Sequence, residues 1–346
     1  MTARAFITGL AGVSITASER SFLRDSQPWG LIIFKRNVST PDQLAELTQS
    51  FRDCVGWHAP VFVDQEGGRV QRLGPPHWPV YPPGARYGEI YDRDPASGTA
   101  AARLAGHLIA ADLRPVGIDA DCLPLGDVPL AGSDQVIGDR AYGSEAGKVA
   151  ALAKAIAEGL QVGGVLPVLK HLPGHGRATA DSHHKLPVVD TDRKTLEETD
   201  FAAFRALASL PIGMTAHVVF SAFDPVAPAT TSVTMVRHVI RGFIGFRGLL
   251  MTDDISMNAL SGTIAERSRA ALTAGCDVVL HCNGDMREME AVATEAPELS
   301  GDSAVRADAA LAARSAPEEF DTHAARRLFA QIAGDARTSS QRKTVS

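Results

Sequence analysis

Residues 165–184 read VLPVLKHLPGHGRATADSHH. The first five, Val165 to Leu169, form an unbroken apolar run of the length and character of a buried strand. The next fifteen, Lys170 to His184, hold four histidines, two glycines, two basic residues, a proline and an aspartate. Ionisable groups crowded onto a Gly- and Pro-punctuated loop make poor core material. Functional side chains are often carried on such loops, held in place by a rigid scaffold. A buried strand that ends in a chemically loaded loop is one unit of an α/β fold.

The same unit recurs along the chain. Apolar strand candidates are Ala5–Thr8, Gly30–Phe34, Val61–Asp64, Ile118–Leu123, Val165–Leu169, Ile212–Thr215, Leu249–Asp253 and Asp277–His281. Amphipathic, Ala-rich stretches lie between and after them: Pro41–Val55, Ala96–Arg114, Glu145–Gly159, Lys194–Leu207, Ser232–Gly242, Ile264–Ala274 and Glu318–Ile332. Thr40-Pro41 reads as an N-cap followed by proline at the first helical position, and Gly275 as a glycine just past a helix end. Continuous apolar strands alternating with helices imply parallel βαβ units buried on both faces. Eight such strands predict an α/β fold of the (β/α)8 TIM-barrel type in a single domain over residues 1–334, with 335–346 a polar tail expected to fray.

Composition narrows the function. The chain has 346 residues, 45% apolar and 21% charged, with a formal charge of -6. It lacks the basic field that nucleic acid or an anionic membrane would require. Four cysteines without a CxxC pair are too few for a disulfide framework and read as reduced core thiols. The apolar stretch 6–17 is interrupted by Gly9 and Gly12, and no run approaches the roughly 18 residues of a membrane span. A soluble, cytoplasmic protein is expected.

In a barrel of this kind, functional groups sit at the C-terminal ends of the strands. Polar residues cluster there: Lys35-Arg36-Asn37, Asp64 to Arg69, Asp127, Asp139-Arg140, Lys170-His171, His217, Asp253-Asp254 and His281 to Asp285. Carboxylates and cationic donors without a phosphate-cradling glycine loop suit a neutral polyhydroxylated ligand. No GxGxxG, GxxxxGK[ST] or GxSxG pattern is present. The histidine-rich loop leaves two mechanisms open. His171, His175, His183 and Asp181 could hold a metal, although HxxxH on a loop is a weak signal. Alternatively Asp181 and His183, two apart, could form a carboxylate–imidazole pair acting as general acid and base near neutrality.

Four segments in order carry a resemblance: VDQEGGRVQRL (63–73), IGDRAYG (137–143), KHLPGHGRATADSHHKLP (170–187) and MTDDISM (251–257). Together they resemble glycoside hydrolase family 3, and more narrowly its single-domain bacterial β-N-acetylglucosaminidases of peptidoglycan recycling. The resemblance runs over about residues 6–333. It implies a retaining hydrolase with Asp253 as nucleophile, His183 as general acid/base and Asp181 as the dyad partner of His183. It further implies a sugar-binding set of Asp64, Arg72, Arg140, Lys170 and His171, with Glu66 and Arg69 carried at lower weight, and neither metal nor organic cofactor. Asp254 is the rival to Asp253, because neighbouring strand residues face opposite ways.

The implied reaction is removal of terminal β-linked GlcNAc from fragments such as GlcNAc-1,6-anhydroMurNAc, by a monomer whose partner is its saccharide substrate. Three alternatives remain beside it. One is a family-3 glycosidase of other sugar specificity; the β-glucosidase type usually carries a further C-terminal domain, for which this length leaves no room. The second is a phosphorolytic variant. The third is a non-catalytic sugar-binding barrel.

Overall fold

A computed structural model describes residues 3–178, 180–182 and 185–334. His183, expected to be the acid/base, lies outside the described residues, as does the 335–346 tail. Eight parallel strands close into a barrel: β1 (Arg4–Thr8), β2 (Pro28–Ile33), β3 (Val61–Val63), β4 (Ala120–Asp121), β5 (Leu166–Leu172), β6 (Ile212–Thr215), β7 (Leu249–Asp254) and β8 (Val278–His281). Each pairs with its neighbours in sequence, and β8 pairs with β1, in register Phe6 with Val279 and Thr8 with His281. All eight expected strands are present, and the expected TIM-type barrel is the fold.

Helices clothe the barrel: α1 (Ala17–Ser26), α2 (Pro41–Val55), α3 (Gly84–Arg93), α4 (Pro95–Leu113), α5 (Ala146–Val162), α6 (Arg193–Glu198), α7 (Asp200–Ala206), α8 (Ile264–Ala274), α9 (Met286–Glu295), α10 (Gly301–Ala312) and α11 (Thr322–Ala333), with a π-helix over Met235–Phe243. Thr40 caps α2 by accepting from Gln43 N–H, and Gly275 closes α8 at φ +111°. The expected helix over Lys194–Leu207 is instead two, broken at Thr199. That break frees the Thr199 hydroxyl and the Asp200 carboxylate to receive the guanidinium of Arg177 from the histidine-rich loop, at 2.8 and 2.5 Å. The segment expected as a helix at Ser232–Gly242 is the π-helix, and Glu318–Ile332 becomes helical only from Thr322, where Asp321 caps it.

Strand alternation sorts the side chains into two cores. Ile7, Ile32, Phe62, Ala120, Val168, Ile212, Met251 and Leu280 join residues from every strand in one buried cluster, which is the barrel interior. Leu31, Val63, Leu169, Leu250 and Val279 face the other way and pack with the helices. All four cysteines are buried and unpaired. Among the described residues no helix is long and apolar enough to cross a membrane.

Candidate active site

The same alternation carries polar groups into the barrel mouth. Phe62 faces inward on β3, so Asp64, two residues on, faces inward as well. Val168 does the same for Lys170 on β5, and Met251 for Asp253 on β7. Asp253 therefore lines the mouth. Asp254 turns away, its carboxylate accepting from Ser256 Oγ at 2.7 Å, Ser256 N–H at 3.0 Å and Cys282 N–H at 3.2 Å. A cavity of about 240 Å³ opens there, walled by Asp64, Arg69, Arg72, Arg140, Lys170, His171, His175, Asp181, Ser182 and Asp253, with Val70, Val136, Ile137 and Met214 as its apolar part. Asp181, Asp253, Asp64, Arg69, Arg72, Arg140, Lys170 and His171, all expected at the site, stand in that wall, whereas Glu66 lies behind it, paired with Arg140 and Lys170.

One wall is a compact charge cluster. Lys170 Nζ, on a side chain only 2% exposed, lies 2.9 Å from Asp64 Oδ1 and 2.6 Å from Glu66 Oε1. Arg140 grips Glu66 with two parallel bonds of 2.7 and 2.8 Å, and Arg72 donates to Asp64 Oδ2 at 2.9 Å. Burial alone would raise both carboxyls. Lys170 and Arg72 outweigh it at Asp64 and hold that group well below the usual range; Arg140 and Lys170 bring Glu66 to about 2. Burial would likewise lower the Lys170 ammonium, yet the two carboxylates hold it above its ordinary value. All these groups are charged at neutral pH, offering hydroxyls both donors and acceptors.

Beneath the cluster lies Asp121, wholly buried. Its Oδ1 accepts from Gln65 N–H at 2.9 Å, while its Oδ2 is buried without a hydrogen-bond partner. Burial, with Asp64 and Glu66 adding to it, pushes this carboxyl up to about 8 against the opposing influence of the Gln65 bond and Lys170. It is neutral where its neighbours are charged.

The opposite wall holds Asp253. Burial would raise its carboxyl, but His171, His217, a hydrogen bond from Asp254 N–H at 2.8 Å and Lys170 together lower it, so it is an ionised acceptor at neutral pH. His171 is fixed by Asp127, which sits 2.7 Å from His171 Nδ1 and accepts the His175 N–H at 2.6 Å. His217 has both ring nitrogens engaged, with Thr230 Oγ1 at 2.7 Å and the Asp254 carbonyl at 2.9 Å, and so braces β7. His175 Nε2 lies 3.1 Å from Ser182 Oγ. His171 and His175 thus each commit a ring nitrogen to protein. Among the described residues no group of three or more metal-capable side chains converges.

The residues sequence reasoning underweighted are Glu66 and Asp127. Glu66 lies inside the VDQEGGR motif, and Asp127 interrupts the apolar run LPLGDVPL; an acid there signals a buried partner.

Comparison with known proteins places this geometry. The family model "Glycosyl hydrolase family 3 N terminal domain" matches residues 5–310. A β-hexosaminidase of Alkalilimnicola ehrlichii is 40% identical over 279 residues, 80% of this chain and 79% of that protein. NagZ from Neisseria gonorrhoeae in complex with zinc ion is 30% identical with a TM-score of 0.84, over 96% of this chain and 98% of that one. The same protein in complex with N-trifluoroacetyl-D-glucosamine gives 0.79, over 96% and 99%. The match spans the barrel and all the walls of its polar mouth, and the chain belongs to glycosyl hydrolase family 3.

Proposed function

We propose that this glycoside hydrolase is a retaining exo-β-N-acetylglucosaminidase that removes terminal non-reducing β-linked GlcNAc from peptidoglycan fragments, GlcNAc-1,6-anhydroMurNAc with or without peptide among them. The observation that carries the reading is the ionised Asp253 facing the Asp64–Lys170–Glu66–Arg140 cluster across one small cavity. At about 240 Å³ it is smaller than the roughly 300–1,000 Å³ of pockets for drug-sized ligands. One sugar ring fits such a space, which favours attack at a chain end. The β-hexosaminidase relative and the glucosamine analogue bound to NagZ support GlcNAc as that ring.

In this reading Asp64, Arg72, Arg140, Lys170 and His171 hold the hydroxyls. Asp253 attacks the anomeric carbon, the glycosidic C–O bond breaks, and a covalent glycosyl-enzyme forms. His183, oriented by Asp181, gives its proton to the leaving oxygen. It then takes one from the water that displaces Asp253, releasing the sugar with its β-configuration retained. Neither metal nor organic cofactor takes part, and the enzyme acts in the cytoplasm as a monomer on its saccharide substrate.

The test is chemical trapping. With an aryl β-GlcNAc the protein should turn over in EDTA, and a 5-fluoro glycoside should leave an adduct on the peptide containing Asp253. A label on Glu66 or Asp254 would overturn the nucleophile. His183→Ala should slow substrates with poor leaving groups far more than activated aryl glycosides, and equal losses on both would remove His183 from the acid/base role.

A further inference from the structure

Asp127 has no role in the reaction just described, yet no exposed surface at all and two distinct partners. It lies in the segment after β4 that runs beside β5, tied there by Gly126 N–H to the Lys170 carbonyl at 2.7 Å. Its Oδ2 meets His171 Nδ1 at 2.7 Å, and its Oδ1 accepts the His175 N–H at 2.6 Å and the His171 N–H at 3.4 Å. His171 is part of the cavity wall. His175 stands at the start of the histidine-rich loop, and its Nε2 reaches Ser182 Oγ at 3.1 Å on the loop's far limb, beside Asp181. The backbone gives the carboxylate little freedom: Gly176 passes so close to Val128 that a Cβ there would lie 2.3 Å from the Val128 carbonyl.

We propose that Asp127 is a positioning residue that couples the two halves of the site: one carboxylate fixes the His171 ring in the sugar cavity and seats the base of the loop bearing Asp181. The inference rests on the glycosidase reading and adds a residue to it. An ionised carboxylate only accepts hydrogen bonds, so the Nδ1 of His171 carries a proton and its Nε2 is the nitrogen left for substrate or for Asp253. Burial would raise the Asp127 carboxyl, but His171, His175 and the bond from His175 N–H hold it below its ordinary value. Asparagine at this position keeps an acceptor for His175 N–H but turns an NH2 toward Nδ1. That exchange reverses the tautomer without removing a side chain's bulk.

The experiment pairs kinetics with spectroscopy. Asp127→Asn should lower kcat/KM on an aryl β-GlcNAc by roughly 10²–10⁴-fold, about 10² being the cost of a misplaced group and about 10⁴ that of a reversed imidazole tautomer. Activated and poor leaving groups should suffer alike. On a His171→Gln background the same change should cost less than about threefold, because the ring it orients is gone. Additive losses in the double variant would overturn the coupling and leave Asp127 as scaffold only. Nitrogen-15 spectra of the wild-type imidazoles serve even if the variants fold poorly: His171 should show a protonated Nδ1, and an unprotonated Nδ1 would overturn the proposal. Absence of turnover by the wild-type protein would instead sink the glycosidase reading, whatever the tautomer.

Discussion

Lys170 concentrates the site's electrostatics in one side chain, because it is the cation shared by Asp64 and Glu66. Removing one member of a buried ion network leaves the others uncompensated and costs about 3–5 kcal/mol. Lys170→Met should therefore lower the unfolding free energy by that order and raise KM for an aryl β-GlcNAc steeply, read by urea titration and steady-state kinetics. Asp121 makes the opposite case. Its carboxyl titrates near 8 in the folded protein and near 3.8 when unfolded, so between those values the native state holds a proton that the unfolded state has lost. Stability from this group therefore falls as pH rises from about 4 to 8, by up to roughly 1.4 kcal/mol per pH unit, and levels off above. Asp121→Asn should remove that slope, making the variant gain on wild type from pH 5.5 to pH 8 in paired urea titrations; parallel curves would refute a neutral Asp121. At this scale the sequence was legible where a motif marks the position, as at Asp64, Lys170 and Asp253. It was silent on Asp121, whose state depends on burial and on groups that the neighbouring strands β3 and β5 bring beside it.

Elements were legible in proportion to how local their causes are. The strands announce themselves as apolar runs, and α2 and α8 carry their own caps at Thr40 and Gly275. The break between α6 and α7 was not legible, because it answers to Arg177 from another loop. The hairpin Gln65–Gly67 with Val70–Gln71 was missed as well. Its order comes from the Gln65 side chain, which bonds Arg72 N–H, Leu73 N–H and the Leu73 carbonyl in a stretch without alternation. α3 shows how an element serves the site from behind. Gly84 and Gly88 lie one turn apart, and a Cβ at either would fall 2.0 Å from the Arg140 carbonyl oxygen or 1.9 Å from that of Tyr142. The helix backbone is thus the bed on which the Arg140 segment rests. Gly88→Ala should cost about 1–3 kcal/mol of stability as an overpacked contact, and it should raise KM more than it lowers kcat by shifting Arg140 off Glu66. An unchanged KM in a destabilised variant would show that the segment does not move.

The whole molecule separates stability from chemistry by placing them at opposite ends of the barrel. At the bottom, Asp119 and Asp277 sit just before β4 and β8, and each accepts a backbone N–H from the strand beside it, Val61 and Leu250, at 2.8 Å. Asp277 also receives Arg241 at 2.7 Å, Ser303 at 2.7 Å and Arg306 at 2.8 Å, while Asp119 receives Arg52 and Arg314. Ser303 and Arg306 belong to α10 and Arg314 follows it, so the two aspartates stitch that helix across the barrel floor. Neither aspartate stands in a sequence motif, and the partners of each are far away along the chain. The (β/α)8 architecture and the acids of its mouth could be read from strand spacing and strand ends, whereas the floor clusters depend on arginines brought in from distant segments. Asp277→Ala leaves Arg241 and Arg306 without their shared acceptor and should cost about 3–5 kcal/mol. Because the floor is far from the cavity, kcat and KM measured well below the unfolding transition should match wild type. Lys170→Met, with a similar loss of stability, should not match it. If Asp277→Ala raises KM as much as Lys170→Met does, the two ends of the barrel are coupled and the separation fails.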